Sequence, residues 1–201
     1  MSTSVNRLAY TYCYTSGAID CDREGGKQWR KEIGQWLNEK SIIDLNPYEK
    51  YELFENAGEQ SVQQRQLAKE NRDWKLLQEL MRPVVNFDLR CCDLASFLIF
   101  RFDVSIYSCG SYDEIFTSDN QKKPVLVLTS DLSQLPDWLF GRLNYHVFFD
   151  DINKLKDYLT FIDSGPEEDV KSVILRDKWK LFDNKKLFKK IISKEEIKRI
   201  I

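Results

Sequence analysis

The chain has 201 residues, 42% of them hydrophobic and 13% aromatic, with a net charge of −2 at neutral pH. That length holds one α/β domain and an appendage rather than two full domains, and the apolar content excludes a disordered chain. The near-neutral balance gives the whole molecule no electrostatic reason to bind nucleic acid, and no apolar run reaches the eighteen or so residues of a membrane span.

The first predicted element is a strand over Leu8–Thr15, "LAYTYCYT", closed by the turn signal "SGAID". A helix follows in "GGKQWRKEIGQWLNEK", where Trp29, Ile33, Trp36 and Leu37 recur at helical spacing. "SIIDLNP" is a short strand that Pro47 ends. From Tyr48 to Arg82 the chain is polar, with Leu67, Trp74, Leu77 and Met81 on one stripe, which predicts a loop and then a helix. "VVNFDLRCCDLASFLIFRFDV" reads as a short helix leading into a strand at Ser96–Phe102. A glycine turn and a helix from about Ser111 come next, followed by the buried-strand run "KKPVLVLTS". "YHVFFDDINKLKDYL" is a last strand that turns into a helix through the capping residues Asp150 and Asp151.

Strands alternating with helices predict an α/β fold, a parallel sheet with helices on both faces, with ligands bound beyond the carboxyl ends of the strands. Residues 1–162 form the expected domain, with a helical insertion at about 48–82. Residues 163–201 form a C-terminal extension that is net basic and interleaved with apolar residues, the composition of an amphipathic segment. "MSTSVNRLAY" lacks the apolar core of a signal peptide. Five cysteines, an odd number that includes the adjacent Cys91 and Cys92, read as reduced thiols of a cytoplasmic protein.

Three loops fall at the carboxyl edge of the predicted sheet. "SIYSCGSYDEIF" breaks an apolar run with serines and Gly110, then delivers Asp113 and Glu114. Gly110 permits a tight turn, and Ser108, Ser111 and the helix-start amides suit an anion. Asp113 and Glu114 also fit a plain role as first-turn acids favoured by the helix dipole. "NFDLRCCD" sets Asp88 and Asp93 around Arg90, either as a site or as caps with a weak ion pair. "TSGAID" has neither the ending of a P-loop nor the glycine spacing of a dinucleotide fold. The single histidine, His146, lies in "YHVFF" and reads as structural. It leaves Cys109 and the serines without an evident base, so carboxylate chemistry remains.

Together "YTSGAID", "NFDLRCCDLASFLIF" and "SCGSYDEIFTSDNQKKPVLVL" resemble the nucleoside 2-deoxyribosyltransferase family, including its 2'-deoxynucleoside 5'-monophosphate N-glycosidase branch. The likeness runs over about residues 8 to 160. It implies a flavodoxin-like, or Rossmann-like, three-layer sandwich and cleavage of the N-glycosidic bond of a 2'-deoxynucleoside or its 5'-monophosphate. By position in these motifs, Glu114 is the implied nucleophile, Asp88 the group that protonates the leaving base or holds the sugar, and Tyr14 a tyrosine that places the nucleophile. Gly17, Ala18, Asp20, Asn46, Arg90, Ser108, Gly110 and Ser111 are the implied substrate contacts. Where the transferases carry an aspartate six residues before the nucleophile, this chain has Ser108, as in the monophosphate branch; Ala18 and Asp20 depart from that branch.

The family also implies a homo-oligomer, to which Trp74, Trp138 and Trp179 are candidate contacts. It implies no metal and no organic cofactor. Two alternatives stand beside it: a non-catalytic nucleotide-binding module, and a glycosidase acting on an NAD-like nucleotide.

Overall fold

The computed structural model describes residues 6–19, 26–49, 59–103, 105, 106 and 108–179. Within them lie strands β1 (Tyr12–Gly17), β2 (Ile43–Leu45), β3 (Phe97–Phe102), β4 (Val125–Thr129) and β5 (Phe148–Phe149). The helices are α1 (Lys27–Glu39), α2 (Glu59–Glu70), α3 (Trp74–Leu94), α4 (Cys109–Asn120), α5 (Asp137–Arg142), α6 (Ile152–Ser164) and α7 (Glu167–Arg176). The strands pair in parallel in the order β2-β1-β3-β4-β5. This is the flavodoxin-like order, whose topological switch point lies between β1 and β3.

The two central strands explain the sheet. "FLIFRF" has its first four residues buried and "VLVLT" all five, the unbroken apolar pattern of strands covered on both faces. On one face α1 and α6 lie together, tied by Lys156 to Glu32 at 2.7 Å. On the other face α3 and α4 are joined where Gln121 donates to Asp93 at 2.7 Å and Lys123 donates to the Cys92 carbonyl at 2.5 Å. Residues 167–179 pack on the same core through Val170, Ile174 and Trp179.

Four local expectations change. The first strand begins at Tyr12 and ends at Gly17 rather than Thr15, because Leu8–Tyr10 form a turn with Tyr10 at φ 62. The segment before β3 is no short helix but the end of a 21-residue one. Asp73 caps its start by accepting from Leu76 N at 3.0 Å, and an apolar stripe runs on through Leu77, Met81, Val84, Phe87 and Cys91. Pro83 lies exposed within it, where tertiary packing outweighs the one backbone bond it removes. His146 is exposed in a one-turn 3-10 helix, its ring against Tyr145, rather than in a strand. Trp179 is buried against Phe97 with ring centroids 5.1 Å apart, which removes it from the candidate oligomer contacts.

Candidate active site

Alternation along β1 sorts its side chains between the two faces of the sheet. Tyr14 and Ser16 point toward α4, while Thr15 points toward the α1 side and donates to Asp44 Oδ1 at 3.0 Å. Helix α4 begins at Cys109, two residues earlier than expected, with Ser108 at its N-cap position and its hydroxyl on Ser111 rather than on a backbone amide. Asp113 and Glu114 therefore lie in the second turn, beyond the orphan amides, and the reading as first-turn acids loses its physical basis. Asp113 is exposed, whereas Glu114 is only 7% exposed.

Glu114 is held by two hydroxyls of one strand. Tyr14 Oη donates to Glu114 Oε1 at 3.1 Å, and Ser16 Oγ donates to Oε2. From the neighbouring helix, Cys92 Sγ donates to the Glu114 carbonyl at 3.8 Å.

Asp88 is not on a strand-edge loop as expected but on α3, half-buried. It stands three and four residues before the buried Cys91 and Cys92, hence on the inward face of the helix. Burial first, and then the charges of Glu114 and Asp88, push the Tyr14 phenol well above its usual range. Tyr14 thus stays protonated as a donor. The Cys92 thiol is pushed up to about 12 by burial first and by the Glu114 charge next. Both acids therefore act electrostatically on Tyr14 and on Cys92.

The remaining expected contacts divide. Strand β1 ends at Gly17, just before Ala18, and Gly17 adopts φ 150 with its absent Cβ 3.0 Å from the Arg101 carbonyl. Asn46 follows β2 and accepts from Tyr48 N at 3.0 Å, a short turn that fixes the start of that loop. Ser108 and Ser111 join hydroxyls at 2.5 Å at the start of α4, with Ser111 buried, while Gly110 is exposed and has open space around its absent Cβ. Arg90 is exposed two residues beyond Asp88, on a different side of α3, and forms no ion pair with Asp88 or Asp93 among the described residues. Asp20 lies outside the described residues.

Sequence reading passed over Ser16 and Arg30. Ser16 was assigned to a turn because the strand was ended one residue before it. Arg30 is 1% exposed and bonds three carbonyls, and its signal was its place on the apolar stripe of α1 with Ile33, Gly34 and Leu37.

A solved 2-deoxyribosyltransferase of the psychrotolerant bacterium Bacillus psychrosaccharolyticus, described as a biocatalyst for synthesis of antiviral and antitumoral nucleosides, is similar to this chain. The TM-score is 0.53 at 17% identity, over 78% of this chain and 98% of that one. The fold is shared. The structural neighbour thus carries the name of the family that the sequence motifs resemble, and at this identity the likeness speaks for architecture. No protein-family model and no curated protein matches the sequence. Among the described residues no helix is long and apolar enough to cross a membrane.

Proposed function

We propose that the protein cleaves the N-glycosidic bond of a 2'-deoxynucleoside or its 5'-monophosphate through a deoxyribosyl intermediate on Glu114. The observation that carries this reading is a buried carboxylate beside the β1/β3 switch point, gripped by Tyr14 and Ser16, with the charge of Asp88 close by. A Glu114 oxygen attacks C1' of the sugar as the bond to the base breaks. The base leaves with the bonding electron pair and takes a proton from Asp88. A nitrogen of a second base, or water, then attacks C1', the glutamate departs as carboxylate, and the acceptor's proton returns to Asp88.

The residue types suit an oxocarbenium-like transition state. A carboxylate beneath C1' stabilises the positive charge and then bonds to it, as in retaining glycosidases. Neutral hydroxyl donors hold that carboxylate in place without cancelling its charge. At the start of α4, Ser108 and Ser111 offer uncharged hydroxyls, which favours a phosphorylated substrate over a site with an acid at that position. We also infer a homo-oligomer, supported by Trp74 and Trp138, which stand 62% and 71% exposed.

The test is chromatography of a panel of deoxynucleosides and deoxynucleoside monophosphates incubated with the protein, each with and without a free acceptor base, beside a panel with NAD. Release of base from a deoxy substrate by the parent and not by Glu114→Ala supports the reading. A new nucleoside formed only with the added base marks transfer. Base release by Glu114→Ala at the parent rate removes the nucleophile, and nicotinamide release from NAD alone moves the activity to another substrate. Light scattering reads the oligomeric state.

A further inference from the structure

Arg30 stands apart from every other cation of the described structure in how it is buried. Its guanidinium carries five N–H donors in a rigid planar fork, and three of its bonds go to backbone carbonyls. Nε donates to Thr15 O at 3.0 Å, Nη2 to Gly17 O at 2.8 Å and Nη1 to Gly26 O at 3.2 Å. The rings of Trp29 and Tyr48 lie 4.8 and 5.5 Å from its central carbon.

The sheet register explains the need for it. Carbonyls of β1 alternate between its two neighbours: Thr11 O accepts from Ile43 at the head of β2, and Tyr12 O accepts from Ser96 on the β3 side. Odd-numbered carbonyls therefore face β2. That strand pairs with β1 only as far as Tyr14↔Leu45, while β1 runs on to Gly17 beside β3. Thr15 O and Gly17 O emerge past the end of β2 with no ladder partner, and Arg30 supplies the missing donors. The residue between those two carbonyls is Ser16, whose hydroxyl is on Glu114.

Gly26 admits the guanidinium. A Cβ there, where φ is 64, would lie 2.6 Å from Nη1. One side chain thus ties both ends of the connection between β1 and α1.

Resting on the reading of Glu114 as nucleophile, we propose that Arg30 is a positioning residue for it: by holding the carbonyls of the two residues that flank Ser16, it sets the Ser16 hydroxyl on the reacting carboxylate. Arg30 touches neither substrate nor the reacting atoms in this scheme. A lysine keeps the charge but, as a single point donor, cannot bond Thr15, Gly17 and Gly26 together.

The experiment compares the parent with Arg30→Lys, Arg30→Met, Ser16→Ala and the double variant Arg30→Met/Ser16→Ala. The expected result with a deoxy substrate is a kcat about 10–100-fold lower for either arginine variant, with KM changed far less, and partial recovery for Arg30→Met on adding free guanidinium. Because Arg30 acts through Ser16, the double variant should be no slower than the worse single one. Effects that multiply instead would overturn the proposal. A crystal structure of Arg30→Lys supplies the arm that needs no activity and, keeping the charge, serves if Arg30→Met does not fold. Displacement of Ser16 from Glu114 upholds the proposal, and a retained Ser16–Glu114 bond overturns it. A parent inactive on the whole substrate panel overturns the nucleophile reading, and that structure alone then judges the positional role.

Discussion

Glu114 and Asp119 lie on the same helix, five residues apart and both buried, yet they are held in opposite ways. Asp119, in the last turn, meets Arg142 at 2.8 Å and Lys178 through a second close contact. Next to that end of the helix, Asp177 is also buried, bonded by Arg176 through two nitrogens at 2.7 Å each and by the Tyr158 hydroxyl at 2.6 Å. Glu114, in the second turn, is held by the hydroxyls of Tyr14 and Ser16. Cations fix an acid and neutralise it; hydroxyls fix it and leave its charge available. At the amino end of the sheet the buried acids are thus paired with cations, whereas hydroxyls of β1 bond the carboxylate near its carboxyl end.

The largest expected effect that separates these ends is on chemistry. Glu114→Gln should lower base release by several orders of magnitude while keeping the side chain's shape and a melting temperature close to the parent's. A large fall in melting temperature would make Glu114 structural after all, and circular dichroism melting beside the chromatographic assay checks both halves.

The opposite end should break in the reverse sense. Trp179 packs on Phe97 and donates to the Tyr158 hydroxyl at 2.9 Å. Trp179→Ala is expected to cost about 3–5 kcal/mol by urea unfolding, with activity per folded molecule preserved. Asp119→Ala leaves Arg142 and Lys178 facing each other without their acid. As both cations are about one-third exposed, the expected cost is smaller, about 1–3 kcal/mol, again without loss of activity. Loss of activity in either folded variant would mean that the two ends are coupled.

The effect confined to alkaline conditions is a matter of pH. The Cys92 thiol and the Tyr14 phenol hold their protons to higher pH in the native protein than in the unfolded chain, mainly because burial disfavours their charged forms. The unfolded chain then binds fewer protons, so stability falls as pH rises. For Cys92 the contribution is fully present below pH 9.0 and is lost as pH climbs to about 12. Cys92→Ala should remove one proton's worth of slope in that window, about 1.4 kcal/mol per pH unit, in unfolding measured across alkaline pH. An unchanged slope would contradict the assigned burial of the thiol.

Much of the architecture was readable because the central strands are continuous apolar runs and the helices between them carry apolar stripes. The ends of elements were less so. The expected helix was ended at Arg82, although the stripe from Leu77 to Cys91 crosses Pro83 and packing keeps the helix whole. That error placed Asp88 on a loop when it rides the inward face of α3. Glu114, Asp88 and Tyr14 stood out by the motifs around them. Ser16 and Arg30 did not, since their roles depend on register: where β1 outlasts β2 decides which carbonyls need a donor, and no local pattern in the chain records that. A cation on the same stripe as Ile33, Gly34 and Leu37 was the available clue, and it reads equally as the edge of an amphipathic helix.

The central claim, that Glu114 bonds to the sugar, is tested most directly by trapping the intermediate. The protein is incubated with a 2'-fluoro-arabino analogue of a turned-over deoxynucleoside, whose fluorine slows the second step, then quenched in acid and digested for mass spectrometry. The result predicted here is one sugar residue on the peptide that contains Glu114, gone when an acceptor base is added before quenching. A sugar on any other residue, or a turning-over protein that carries none on Glu114, would contradict it.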